Sequence, residues 1–545
     1  MPADRFFQIA SHGVIGALAL SCVMGLLGLT LPAFGYFPAL GSEVFHLKAW
    51  QDLWQVPGLW GSVMLSFYTG LLASALALGV SFLLLAASFG TRSFARLQNI
   101  LAPFLAIPHA ALALGLVMVL SPSGLIFRVM DFSRPPDLPL PNDPWALSLI
   151  FGLIVKEVPF LLLVSLAALS HIAAAKQMAM VRSLAYGPMI GFAKIIFPQI
   201  YGRIRLPILA VLAYSAAPPD MALILGPQDP PLLLVHILRL MAHADLNQRF
   251  VASAAGLVQL LVMVGLILSW LIAERIFAKA WQYWAENGRR KFFDIFWQLL
   301  AIFFGLLLVS ILLLSFGVLG LWSIAEAWRF PDLLPSGIDF SHWQRGLSNL
   351  AEAFITSLWI GAWVAGLAII LATICLQKPK AWHGIVLYAP LLLPQVSLLL
   401  GLQVLGFESV IFAHLLYVLA YVHLALSGPW QKLDQRYLHV AASLGASDWQ
   451  QLFGVKLPLL APQISIAFAI GFAVSISLYL PSLWMGGGRI VTLTMEAVTA
   501  ASGGDRRFIA ISALLQSILP LLVFALVMRL VRSIGRKWRG MGVEL

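Results

Sequence analysis

The chain has 545 residues, 61% of them hydrophobic and only 10% charged. A soluble domain carries about 25% charged residues, so a soluble protein is excluded, and with it a nucleic-acid-binding domain built on the net charge of +11. What remains is an all-α polytopic membrane protein whose basic residues line one face of the bilayer.

Runs of about 20 apolar residues are enough to cross a hydrocarbon core. They predict about twelve transmembrane helices, at 13–36, 62–89, 97–120, 145–170, 204–226, 251–273, 293–322, 349–376, 383–405, 408–429, 462–484 and 508–530. The hairpin at Gly406 to Ser409 is the weakest boundary. The first run follows Arg5, is too long for a signal-peptide core and has no small-x-small cleavage site after it, so it reads as a retained helix. Between the third and fourth spans, Ser121 to Trp145 is rich in Pro and Asp and cannot sit in hydrocarbon. It is a connector or a lid, as is Trp322 to Ser348.

The fourth span contains Lys156 and Glu157. A charge at bilayer depth costs at least about 2.5–3.5 kcal/mol. The pair is therefore a candidate for a solute pathway, unless the span begins near Pro159 and leaves it at the interface. The fifth span holds Tyr214 to Met221, with Ser215, the pair Pro218-Pro219 and Asp220. The eleventh has Ser475 and Ser477 at the corresponding place. Prolines interrupt a helix, and interrupted helices at repeat interfaces mark transport pathways; a packing kink is the alternative. Cys22 and Cys375 lie in apolar runs without metal-ligand spacing, so no metal site is expected.

Two polar loops repeat one pattern. Arg182 to Pro198 reads RSLAYGPMIGFAKIIFP, and Ala442 to Pro458 reads ASLGASDWQQLFGVKLP, aligned without a gap at an offset of 260. In the second, Gly445 is placed to end a helix, Ser447 and Asp448 to cap a short helix around Trp449 to Phe453, and Pro458 to open the next span. The offset covers six spans. Two parallel six-helix halves of pseudo-symmetric layout follow: 1–275 and 293–545, joined by a basic linker, 276–292. With the N-terminus inside, 23 of the 34 Lys and Arg residues fall in inside loops, including Arg92, Arg96, Lys291 and Arg539. The positive-inside rule then places both termini and both repeated loops in the cytoplasm.

The second loop closely resembles the EAA loop of permease subunits in binding-protein-dependent ABC importers. That signature runs E-A-A, three residues, Gly, nine residues, Ile-x-Leu-Pro; here Gly445 and Val455-Lys456-Leu457-Pro458 match, with His439 at the Glu position followed by Val440 and Ala441. The first loop keeps Ile195, Phe197 and Pro198, but has Ala179 at the Glu position and Ala185 at the Gly position, leaving Gly187 as another source of the turn. The fused layout is similar to thiamine-type and ferric-iron-type permeases. The resemblance implies a bacterial cytoplasmic (inner) membrane location, an ATPase subunit dimer seated on both loops and an extracytoplasmic solute-binding protein. It assigns docking to Arg182, Ser183, Leu184, Gly187, Pro198, Ala441, Ser443, Leu444, Gly445, Asp448, Trp449 and Pro458. ATP would be bound by the partner subunits. The chain itself has no Gly-x4-Gly-Lys-Ser/Thr phosphate loop, since Met485 to Arg489 lacks the lysine, and is expected to be no enzyme and to hold no cofactor. The rival reading is an ion-coupled secondary transporter with the same two-half layout. The solute is left open among thiamine, a metal ion and an oxyanion.

Overall fold

The computed structural model describes residues 3–91, 104, 106–290 and 293–537. The start of the expected third span (97–103), together with Arg92, Arg96, Lys291 and Arg539, lies outside them. The described chain is helical, with two isolated bridges, Phe37 with Ser42 and Ala325 with Ile338. Among the described residues ten helices are each long and apolar enough to cross a membrane, or up to twelve if each of two bent helix pairs is one span.

The first half comprises α1 (Ala3–Ala33), α2 (Leu59–Ser88), α3 (His109–Leu120), α4 (Leu147–Leu169), α5 (Phe197–Ala216) and α6 (Gln248–Glu286). The second comprises α7 (Asp294–Ile324), α8 (Ser341–Gln377), the bent pair α9 (Ala381–Leu392) and α10 (Gln395–Val404), then α11 (Val410–Lys432), α12 (Ala461–Ser477) and α13 (Arg506–Lys537). The 90° bend between α9 and α10 falls at Leu393 and Pro394. Pro394 has no N–H to continue the helix and holds its predecessor out of the helical region. The hairpin after α10 turns through Gly406 at φ +79°, and the Ser409 side chain caps α11. Helix α6 runs to Glu286, through most of the expected linker, and α7 begins at Asp294.

The duplication extends into backbone detail. Helix α5 stops at Ala216 and the chain resumes as Pro219–Leu225; α12 stops at Ser477 and resumes as Leu480–Gly486. The short helices Leu233–Met241 and Leu493–Ala501 follow at the same offset of 260. Each is fastened by its first amide to a serine on the second helix of its half: Leu233 N donates to Ser66 Oγ at 3.0 Å, and Leu493 N to Ser357 Oγ at 2.9 Å.

The halves exchange their first helices. Helix α1 packs against α10, and α7 packs against α3. At each crossing small residues let the backbones touch. A Cβ on Gly28 or Gly401 would strike the backbone of the opposite helix, and one on Gly115 would fall 2.8 Å from Ser315 Cβ. At one end of the bundle Arg128, 5% exposed, enters the other half's connector: its Nη1 donates to the Arg329 carbonyl at 2.9 Å, and its guanidinium lies 5.0 Å from the Trp328 ring. The connectors after α3 and α7 are thus packed on one another.

Candidate functional site: a central cavity beneath two duplicated loops

A cavity of about 830 Å³ lies between the halves, lined by α4 and α5 from the first and by α9, α11 and α12 from the second. Lys156 and Glu157 stand in its wall, 7% and 6% exposed. Helix α4 begins at Leu147, so about 14 Å of helix precedes Lys156 at 1.5 Å per residue. The helix therefore does not begin near Pro159, which lies inside it, and the pair stands well within a helix long and apolar enough to cross a membrane.

Each charge has a defined neighbour. Lys156 Nζ donates to the carbonyls of Phe104, at 3.4 Å, and of Ile107. These carbonyls precede Pro108, where the helical ladder is interrupted, so the ammonium replaces lost amide donors. Glu157 Oε1 is 3.4 Å from His109 Nε2. The His109 ring lies 4.5 Å from that of Tyr214, whose hydroxyl donates to Asp220 Oδ1 at 2.8 Å. Glu157, His109, Tyr214 and Asp220 thus form one chain of groups across α4, α3, α5 and the helix that resumes at Pro219. Tyr421 and Tyr479 of the second half line the same space.

The buried charges of the wall, Lys156, Glu157 and Asp220, all come from the first half. Helices α4 and α11 are both 23 residues long, so Lys156 and Glu157 correspond to Leu419 and Ala420, and Asp220 to Leu480. Of the remaining pathway candidates, Ser477 lines the cavity, whereas Ser215 and Ser475 do not. Ser215 is fully buried, and the Ser475 hydroxyl is 2.9 Å from His414 Nδ1. His109 and Tyr421 escaped the sequence reading; lone aromatic residues in apolar runs carry no spacing signal. Toward the loops the cavity reaches exposed Ser170, His171, Arg203 and Lys432, and it opens there. Partial desolvation together with the Lys432 and Arg203 cations holds the His171 imidazole below its usual pKa.

The two loops share one geometry. Helices Ala174–Ser183 and Gln435–Ser443 each end in a left-handed residue, followed by a short helix (Pro188–Gly191, Asp448–Gln451) and a π-helical turn (Phe192–Ile196, Leu452–Lys456). Ser447 caps the second short helix in a reciprocal capping box with Gln450. The left-handed residue is Gly445 (φ +81°) in one loop and Ala185 (φ +60°) in the other. Gly187 does not supply the first turn: its φ is −62°, and it is small because a Cβ there would meet the Asp294 carboxylate. Ser183 and Ser443 hydroxyls both turn back to carbonyls of their own helices, Met180 and His439. Arg182, Leu184, Pro198, Leu444, Asp448 and Trp449 are exposed, while Ala441 and Pro458 are half-buried. Leu444 is 82% and Leu184 51% exposed, at equivalent positions.

The loops differ in their support. The first is strapped by the connection between the halves. Gly187 N donates to the Arg290 carbonyl at 2.9 Å, and Lys194 Nζ reaches Asn287 Oδ1 and the Arg289 carbonyl, both at 3.1 Å. The second rests on α1, where Phe6 and Phe7 lie 5.2 and 4.7 Å from the Trp449 ring.

No family model matches the chain. It is 29% identical over 514 residues to the inner membrane ABC transporter permease protein YnjC of Escherichia coli strain K12, covering 92% of this chain and 94% of that protein. A Salmonella choleraesuis permease, PhnV, proposed for 2-aminoethylphosphonate transport, is 29% identical over 281 residues. That match takes in 98% of PhnV and 47% of this chain, so PhnV has the length of one half. The spermidine/putrescine transport system permease protein PotC of Haemophilus influenzae is 30% identical over 168 residues, 28% of this chain and 65% of PotC. With its duplicated helix pattern and a permease relative that matches nearly its whole length, the chain is a transmembrane permease similar to the permease proteins of ABC transporters.

Proposed function

We propose that this chain is the importer permease that carries a small polar or cationic solute across a bacterial inner membrane. In this reading it docks an ATPase subunit dimer through its two duplicated loops. An extracytoplasmic binding protein delivers the solute to the end closed by the connectors. ATP-driven rearrangement then releases it through the mouth beneath the loops, and both termini lie in the cytoplasm with those loops. The observation that carries the reading is the pair of loops of equal geometry, each presenting an exposed leucine, Leu184 or Leu444, beside the cavity mouth. An apolar side chain left in water on both copies is what a partner's cleft would cover. The half-length relatives are named for amine-bearing solutes, which agrees with a cavity holding buried carboxylates.

The test is co-purification with the ATPase subunit. Gly445→Asp places a charge and a Cβ at a left-handed turn, and it should abolish co-purification and uptake while leaving membrane insertion intact. Deleting Trp449 to Phe453 should do the same. Replacement of both loops by unrelated sequence without loss of uptake would overturn the docking assignment. The buried charges favour a second reading, an ion-coupled transporter. Uptake in vesicles driven by an ion gradient and indifferent to ATP would select it.

A further inference from the structure

We propose that the first-half wall of the cavity is a binding site for a protonated organic amine, with the Asp220 carboxylate as its counter-ion. The proposal rests on the permease reading and names the solute class which that pathway takes. Asp220 is 2% exposed and lines the cavity. Its Oδ1 accepts from Tyr214, but its Oδ2 has no hydrogen-bond partner among the described residues. A buried carboxylate oxygen without a donor is costly to leave unmade, so the wall calls for an occupant that donates.

Charge specifies the donor. Two buried carboxylates, Glu157 and Asp220, face one buried ammonium, Lys156, which is turned to the backbone carbonyls before Pro108. Arg203 and Lys432 lie at the exposed mouth, so deep in the wall the two carboxylates outnumber the one ammonium in a low-dielectric space, an imbalance that an incoming cation neutralises and an anion aggravates. Tyr214, Tyr421 and Tyr479 surround the same space, and aromatic rings attract ammonium groups. Most of the remaining lining is aliphatic, which suits the carbon body of an amine. A bare divalent ion would need six or so oxygen ligands, and no cluster of three metal-ligating side chains occurs among the described residues.

The experiment uses the purified full-length chain in nanodiscs and reads thermal unfolding and equilibrium binding. The probes are putrescine, 2-aminoethylphosphonate and, as the amine-free control, ethylphosphonate. Putrescine and 2-aminoethylphosphonate should raise the unfolding temperature, and ethylphosphonate should not. Asp220→Asn should raise the Kd for putrescine by about tenfold or more, the worth of one charged hydrogen bond, and Asp220→Glu should retain binding. Equal stabilisation by ethylphosphonate and 2-aminoethylphosphonate, no stabilisation by either amine, or wild-type affinity in Asp220→Asn would overturn the site. The comparison of probes on the wild-type chain stands even if Asp220→Asn fails to insert. Because no ATPase subunit is present, failure here leaves the docking result untouched, and failure of docking leaves amine binding measurable.

Discussion

Ala185 and Gly445 occupy the same turn of the two loops, and only one of them suits it. Both backbones are left-handed, a conformation that costs a residue with a Cβ roughly 1 kcal/mol or more. The first loop carries that cost and is held by the Gly187–Arg290 and Lys194 hydrogen bonds to the connection between the halves. Ala185→Gly should therefore stabilise the first loop by about 1 kcal/mol, and Gly445→Ala should weaken the second by a similar amount. Native-state hydrogen exchange at the amides of Tyr186 to Gly191 and of Ala446 to Gln451 measures both. Unchanged protection in the two variants would show that the turn energy is absorbed elsewhere. At this scale the sequence spoke clearly for Gly445, because glycine is punctuation. For Ala185 it pointed to Gly187 instead, because the collision of a Cβ with Asp294 involves a residue 107 positions away.

Helices were the most legible elements, since each needs only a local run of apolar residues. Their bends were less so. The expected spans 97–120 and 383–405 run straight through Pro108 and Pro394, and the second is bent by 90° at Leu393 and Pro394. The polar chain from Glu157 through His109 and Tyr214 to Asp220 was legible only in its acids. His109 is 48 residues from Glu157 and lies at the start of another helix, so no periodicity connects them. Helix crossings were also hidden. Gly28 and Gly401 read as ordinary glycines until α1 is found against α10. There, a side chain would force two backbones apart, and overpacking costs about 1–3 kcal/mol or more. Gly401→Val should accordingly leave the chain sensitive to protease and lower its yield in membranes. Gly16→Ala, on the same α1 but with open space around it, should leave both unchanged. Equal protease resistance in Gly401→Val and wild type would remove the crossing as a determinant of assembly.

The whole molecule is two copies of one fold that trade their first helices. The trade explains why a repeated loop of one half rests on the other half. Phe6 and Phe7 of α1 support Trp449, and Asp294 at the start of α7 abuts Gly187. Sequence offset alone gave the duplication but not the trade, because an offset says which segments correspond and not which ones touch. The exchange also changes what the connection at 287–293 does. If each half were a closed bundle, that connection would be the main tie between them. Here the α1–α10 and α7–α3 crossings, the Arg128 insertion and the Ser397 hydroxyl on the Gly256 carbonyl at 2.8 Å tie the halves directly. PhnV, a relative of half the length, shows that one half's worth of sequence exists as a separate chain. Residues 1–290 and 291–545 expressed together as two chains should therefore co-purify in equal amounts, while each expressed alone should be degraded, its first helix having lost its partner in the other half. Affinity capture through a tag on one half, with the other quantified by mass spectrometry, decides it. Recovery of either half alone, folded and protease-resistant, would mean that the halves are independent bundles and that the connection at 287–293 is what holds them together.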